Sequence, residues 1–202
     1  MKNATKHADN LKSLFKKLLK EGKPEPRQLI DPLRAMVIGI LSYDTSDGRP
    51  SEAMKVIDRE FVDINELRVA TELEVISLIG EKYPGIEQRA LLFREILNAI
   101  FEKEHTLSLT RVKELSRKDA RLLLRELPEM TPFVEAYTTL FGLDEPAVPL
   151  DDSMLAVLKN AEAIEPETSL DEAQKFVESH IKGDDCYEFY CVLRRAALKK
   201  GK

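Results

Sequence analysis

The sequence predicts an all-α protein, and three observations predict it. Leu, Ala, Glu, Lys and Arg, the residues that lose least on entering a helix, run through most of the chain. With 8 Gly, 5 Tyr, 8 Phe and no Trp in 202 residues, the turns and aromatic strands of a β-sandwich or barrel are missing. Apolar residues recur at helical spacing between capping and breaking residues, and no convincing strand pair or internal repeat appears. About ten short helices with tight connections follow, too short for a four-helix bundle. They suit a two-lobed helical architecture with a cleft between lobes.

The elements can be taken in order. Residues 10–20 place Leu11, Leu14, Phe15, Leu18 and Leu19 on one face of a basic amphipathic helix that Gly22, Pro24 and Pro26 end. Asp31-Pro32, a cap followed by proline at the first helical position, opens an unusually apolar helix from Leu33 to Leu41. Asp44 to Pro50 is a loop, and Ser51 starts a helix through Ile57. Asp63 and Thr71 cap two short helices, the second stopped by Gly80, and Tyr83-Pro84-Gly85 is a turn. Ile86 to Phe101 is a long amphipathic helix with Ala90, Phe93, Ile96, Leu97 and Ile100 inward. Short helices are expected over 107–115, over 119–124 and from Pro132 to Phe141, ended by Gly142. After a Pro-rich connection, Asp151-Asp152 caps a helix to Leu158, and helices follow over 170–181 and 186–198.

Composition narrows the function classes. No apolar run approaches the roughly 20 residues that cross a bilayer, and Lys16-Lys17 interrupts the apolar pairs near the N-terminus, so a soluble, cytoplasmic, monomeric protein without a membrane partner is expected. Two cysteines suit a reducing compartment. Net charge is −5 but uneven. Residues 1–27 hold Lys2, Lys6, Lys12, Lys16, Lys17, Lys20, Lys23 and Arg27 against Asp9, Glu21 and Glu25; the last nine hold Arg194, Arg195, Lys199, Lys200 and Lys202 without an acid. The two basic ends read either as a local phosphate-binding face or as solvated helix ends. The first defines a basic helix and linker over 1–27, ahead of a main domain over 28–202. His7, His105 and His180 lack metal-ligand spacing to Cys or acids, and no Gly-rich phosphate loop or nucleophile elbow is present, so no cofactor and no metal are expected.

Four stretches in register carry a family resemblance. They are Asp31-Pro-Leu-Arg-Ala-Met-Val-Ile-Gly-Ile-Leu-Ser-Tyr-Asp-Thr-Ser-Asp47; Gly85-Ile-Glu-Gln-Arg-Ala-Leu-Leu-Phe-Arg-Glu-Ile96 leading to Leu124-Arg-Glu-Leu-Pro128; Phe141-Gly142 followed by Ala147-Val-Pro-Leu-Asp151; and, more weakly, Asp185-Cys186. Together they resemble the endonuclease III-like helix-hairpin-helix DNA glycosylase superfamily, with the hairpin near 124–142. The resemblance implies base-excision repair on double-stranded DNA, association with the nucleoid, and Asp151 as the catalytic carboxylate. Asp151 has a plainer reading as a helix N-cap.

Departures from the pattern matter as much. The family hairpin carries two glycines that bring bare amides against a DNA phosphate at a helix N-terminus. Here it reads Leu127-Pro128-Glu129-Met130-Thr131-Pro132-Phe133, with both glycines replaced and one amide deleted by Pro132. A structural role is expected for it, with Met130 and Phe133 packed inside. Phe133 stands where the family's Schiff-base lysine would be, and no Lys lies between Lys118 and Lys159, so no lyase step is expected. Asp44 replaces the glutamine that fills the gap left by a flipped base, with Tyr43 beside it as a base-stacking residue or a packed core neighbour. The family's four-cysteine loop would follow the last helix; Cys186 and Cys191 lie on that helix and the sequence stops at Lys202, so no iron–sulfur cluster is expected. Candidate DNA contacts are therefore Tyr43, Asp44, Thr131, Arg194 and Arg195. The two functional expectations are a monofunctional N-glycosylase without lyase activity, or a non-catalytic interaction scaffold derived from the same fold.

Overall fold

The computed structural model describes residues 4–46 and 48–199; Lys2, Asp47, Lys200 and Lys202, which figure in the sequence reading, lie outside the described residues. Among the described residues there are eleven α-helices, two 3₁₀ turns and no strand. The chain divides into two compact units, one formed by residues 29–143 and the other by residues 1–28 with 144–202.

The continuous unit holds α2 (Pro32–Ser42), α3 (Arg49–Glu60), α4 (Ile64–Val69), α5 (Glu72–Ile79), α6 (Ile86–Glu104), α7 (Arg117–Arg125) and α8 (Pro132–Gly142). Its core is the apolar face of α6, with Phe93, Ile96, Leu97 and Ile100, against Met36, Val37, Ile40 and Leu41 of α2, all at most 1% exposed. Local capping chemistry sets the boundaries. The Asp31 carboxylate accepts from the Leu33 and Arg34 amides, and Thr71 and Glu74 form a reciprocal capping box. Helices α2 and α8 approach closely because of Gly142: a Cβ there would lie 2.6 Å from the Pro32 Cα. That position tolerates no side chain without moving a helix.

The second unit holds α1 (Ala4–Lys20), α9 (Asp152–Asn160), α10 (Leu170–His180) and α11 (Cys186–Lys199). Leu11 and Leu18 of α1 are buried with Met154, Leu158, Val177, Phe189 and Leu193, and Phe15 meets Phe189 edge to face at 5.3 Å. The side chains of His7 and Asn10 hold the Glu162 carbonyl at 2.8 and 2.9 Å. Residue 162 itself is left-handed, with φ 51°. Thus α1 shares a core with residues 144–199.

Helix α3 runs beyond the expected 51–57 at both ends and α6 three residues past Phe101, and three further differences have a local cause. Helix α1 starts six residues earlier than expected, because His7 and Ala8 are buried and continue its apolar line. A histidine does not register in an apolar count. Residues 107–115 do not form an α-helix; only a 3₁₀ turn over Thr110–Glu114 forms. There Ser108 Oγ takes the Thr110 amide at 3.1 Å, and local side-chain bonds of this kind compete with helix. Finally, α7 is capped by Ser116, whose hydroxyl accepts from the Asp119 amide, so the helix begins before Asp119.

Candidate functional site

Asp151 is fixed by the chain on both sides. Ala147, Val148 and Leu150 before it are fully buried, and the Val148 amide donates to Glu178. The carboxylate then caps α9: Oδ1 accepts from the Met154 amide at 2.9 Å and from the Ser153 hydroxyl at 2.6 Å, and Oδ2 faces the Arg194 guanidinium at 3.7 Å. Asp151 is 2% exposed and the Arg194 side chain 12%. The N-terminal end of α9 and the Arg194 guanidinium thus both face the carboxylate. The structure therefore brings two of the expected site residues together, a carboxylate and a guanidinium at a helix N-terminus. Arg195, grouped with Arg194 as a candidate DNA contact, turns inward. It donates to the Gly22 carbonyl and, at 3.5 Å, to the Leu18 carbonyl, satisfying the C-terminal end of α1.

The other three candidates lie in the continuous unit, around one pocket of about 340 Å³. Ile40, Leu92 and Val134 form an apolar floor, and Tyr43, Asp44, Glu129 and Thr131 line the walls and mouth. The Tyr43 ring packs edge to face on Phe133 at 5.4 Å, so it is a half-buried wall. Asp44 and Glu129 are exposed, and both adopt left-handed backbone, φ 44° and 54°. Side chains rarely hold that region. At 129 this is the conformation a hairpin glycine would supply without cost.

The turn that enters α8 is capped by its own sequence. The Thr131 hydroxyl accepts from the Val134 amide at 3.2 Å, capping α8 from within the chain. Pro132 has no N–H, and Glu129 brings negative charge to the same turn. An amide that a phosphate would use is already taken. Phe133 is 1% exposed, as expected, whereas Met130 is only half-buried.

Sequence reasoning missed two charged residues that hold this region. Arg89 is 7% exposed and donates to the carbonyls of Ile40, Tyr43 (2.6 Å) and Pro84 (2.7 Å) and to Thr45 Oγ1 (3.1 Å). Burial lowers its pKa, but its neighbours are carbonyls and hydroxyls that a guanidinium needs. It ties the end of α2 and the 43–45 loop to the start of α6. The second is Glu135, wholly buried, which receives Arg121 at 2.6 and 3.1 Å and Arg125 at 3.2 Å, and so ties α7 to α8 across the hairpin. Each interrupts an apolar helical face, and that interruption was the available signal.

The two thiols do not fit a four-thiolate iron–sulfur cluster. Cys186 is buried and donates to the Lys182 carbonyl at 3.5 Å, and burial pushes the Cys191 thiol up to about 11. A thiol so protonated is a poor nucleophile at neutral pH. Among the described residues no group of three or more His, Cys, Asp or Glu side chains could hold a metal ion. No helix among them is long and apolar enough to cross a membrane.

No protein-family model and no curated protein matches the sequence. Solved structures do match the fold. It is similar to endonuclease III trapped as a covalent DNA intermediate (TM-score 0.73, 14% identity, 96% of this chain and 85% of that one). It is also similar to Clostridium acetobutylicum 8-oxoguanine glycosylase/lyase in complex with duplex DNA (0.76, 16% identity, 100% and 72%). A third match is H. pylori 3-methyladenine DNA glycosylase bound to 1,N6-ethenoadenine (0.69, 16% identity, 98% and 97%). The chain has the all-helical fold of the endonuclease III-like DNA glycosylases.

Proposed function

We propose that this chain binds duplex DNA and acts as a monofunctional N-glycosylase, with Asp151 as the carboxylate of the chemistry. The observation that carries the reading is a buried carboxylate held at a helix N-terminus beside a guanidinium, within a fold shared with DNA glycosylases. In the reaction the bond between deoxyribose C1′ and the base nitrogen breaks, and the base leaves with the electron pair and takes up a proton. Positive charge develops on the sugar, where the fixed Asp151 carboxylate stabilises it; preorganised charge of this kind is the largest single catalytic contribution in most enzymes. A water oxygen then bonds to C1′ and its proton passes to Asp151 and on to solvent. Phe133 offers no amine, so no Schiff base forms and the strand stays intact at the abasic site.

The test is excision from duplexes bearing alkylated, oxidised, deaminated or mismatched bases, with and without hot alkali, comparing the parent with Asp151→Asn. Asparagine caps a helix about as well as aspartate, so the variant keeps the α9 terminus while losing the charge. Excision should fall at least ~100-fold in the variant, and strand breaks should appear only after alkali. Equal excision by both proteins would remove Asp151 from the chemistry, and alkali-independent breaks would refute the absence of a lyase step.

A second reading, a non-catalytic interaction module on the same fold, is favoured by one observation. Asp151 is 2% exposed, with Oδ1 already accepting two hydrogen bonds and Oδ2 beside Arg194. A lesion panel on which neither protein excises any base decides for that reading.

A further inference from the structure

With the hairpin's anion site occupied from within the chain, the phosphate-binding surface has to be sought elsewhere, and charge is distributed so as to identify it. Residues 29–143, which include the hairpin, hold 15 basic and 20 acidic side chains; residues 1–28 hold 8 basic and 3 acidic. Most of the excess cation charge falls on α1. At ~100° per residue, Lys12, Lys16 and Lys20 occupy an arc of about 80°, one turn apart in succession, over about 12 Å of helix axis. All three are exposed, and among the described residues none has an acidic partner. Of the other cations nearby, Lys6 pairs with Glu162, Lys199 with Glu21, and Arg195 with the end of α1, while the exposed Lys17 lies to one side of the row. Asp9 is the one acid on the same exposed arc.

Three unpaired cations in a row, on an element whose sequence is free to put acids between them, are an arrangement that costs self-repulsion unless a polyanion meets it. Two polyanionic surfaces compete for such a helix. A membrane-surface helix must offer its apolar face to lipid, but His7, Ala8, Leu11 and Leu18 are buried within their own unit. What α1 presents outward is mostly charge, with the small residues Ala4, Thr5 and Ser13 and no fully exposed large apolar side chain. A duplex matches that: it carries one negative charge per ~1.7 Å of axis, about seven over the length of the lysine row.

We infer that the exposed face of α1, through Lys12, Lys16 and Lys20, is a docking surface for the phosphodiester backbone of duplex DNA, in place of a hairpin clamp. This rests on the reading of the chain as a DNA-binding protein and is separable from its catalysis. These contacts carry no base information, so the surface supplies lesion-independent affinity.

The experiment is fluorescence anisotropy of the full chain on an undamaged, labelled duplex across 50–200 mM salt. The variants are K12A/K16A/K20A, its charge-retaining counterpart K12R/K16R/K20R, and a neutralised control in the other unit, K55A/K113A/K118A. Each phosphate contact contributes about 0.9 to the slope of log K against log salt. The alanine triple should therefore lose about 2.7 from that slope, and its affinity deficit should shrink by about 40-fold between 50 and 200 mM. The arginine triple should keep the parent slope. Unchanged melting by circular dichroism checks the fold, as expected for exposed lysines replaced by the best helix former. An unchanged slope in the alanine triple overturns the assignment, as does a loss of slope in the K55A/K113A/K118A control alone. Binding to vesicles containing 30% phosphatidylserine with none to duplex also overturns it. Failure of base excision leaves these slopes untouched, so the two readings fail independently.

Discussion

Removing the Glu135 carboxylate is the sharpest probe of how the hairpin is held. Glu135 is fully buried on α8, and its two oxygens receive the Arg121 fork at 2.6 and 3.1 Å, with Thr139 Oγ1 at 3.2 Å and Arg125 at 3.2 Å. The two arginines are not equivalent: the Arg121 side chain is 11% exposed and that of Arg125 56%. An exposed partner is screened and contributes less than ~1 kcal/mol, so Arg125→Ala should be nearly silent. Glu135→Ala leaves the Arg121 cation buried without its counter-charge, which costs about 3–5 kcal/mol. In a chain of 202 residues each kcal/mol moves Tm by about 2–4 °C, so the expected fall is roughly 6–20 °C. Replacing the pair together, Arg121→Met with Glu135→Leu, removes both charges at similar volume and should recover most of that loss. Differential scanning calorimetry on the parent and three variants provides the readout. A cost for Glu135→Ala below 1 kcal/mol, or a double variant as unstable as Glu135→Ala, would refute the claim that a buried charge pair joins α7 to α8.

Two further outcomes follow from the same structure. Glu129 is exposed at φ 54°, so Glu129→Gly should raise stability by roughly 0.5–1 kcal/mol in urea denaturation, whereas Glu129→Ala, which removes the charge and keeps the strained backbone, should not. Stability should also fall in acid: the Thr71 and Ser169 backbone and hydroxyl bonds hold the Glu74 and Glu172 carboxyls below their ordinary value, and the Arg34 guanidinium does so for Asp58. Depressed carboxyl groups contribute stability that is complete above their unfolded pKa and is lost as pH drops through the folded value, so the melting temperature should decline from about pH 4.5 downward. Glu74→Gln with Glu172→Gln should flatten that decline; an unchanged acid limb would show that other groups govern it.

Much of the fold was legible because its signals are local. The Asp31-Pro32 start, the Thr71 cap and the Gly80 and Gly142 stops each act within one turn of the chain, and the helices they bound appear where the apolar period puts them. The 107–115 segment failed for the same reason in reverse: Ser108 redirects its own backbone, a preference that an apolar count over Leu107, Leu109, Val112 and Leu115 does not weigh. The site was legible in part. Asp151 was recognisable as a cap, but its partner is a matter of packing, and the capping role of Thr131 was not foreseen. Nothing in the order of residues says that Arg194 faces Asp151 while its neighbour Arg195 turns to the end of α1. Arg89 and Glu135 were overlooked because a charge on an apolar face reads as noise until the groups that satisfy it are known.

A hairpin glycine does two jobs, and this chain separates them. One is conformational: the turn needs positive φ, and residue 129 still adopts it with a glutamate in place. The other is chemical: bare amides at the start of the next helix must remain available to an anion. Here the first survives and the second does not, since Thr131 takes the Val134 amide and Pro132 has none to give. Tertiary packing explains the asymmetry. The Glu135 carboxylate, the buried Phe133 ring and the close α2–α8 approach at Gly142 hold α7 and α8 whatever occupies the turn. A glutamate there costs the ~1–2 kcal/mol of a strained residue, which the surrounding packing tolerates. Phosphate affinity has no such support, because it depends on the few groups at the turn alone. Under the proposed reading, DNA would then be held by a different surface, and that is the role proposed for the lysines of α1.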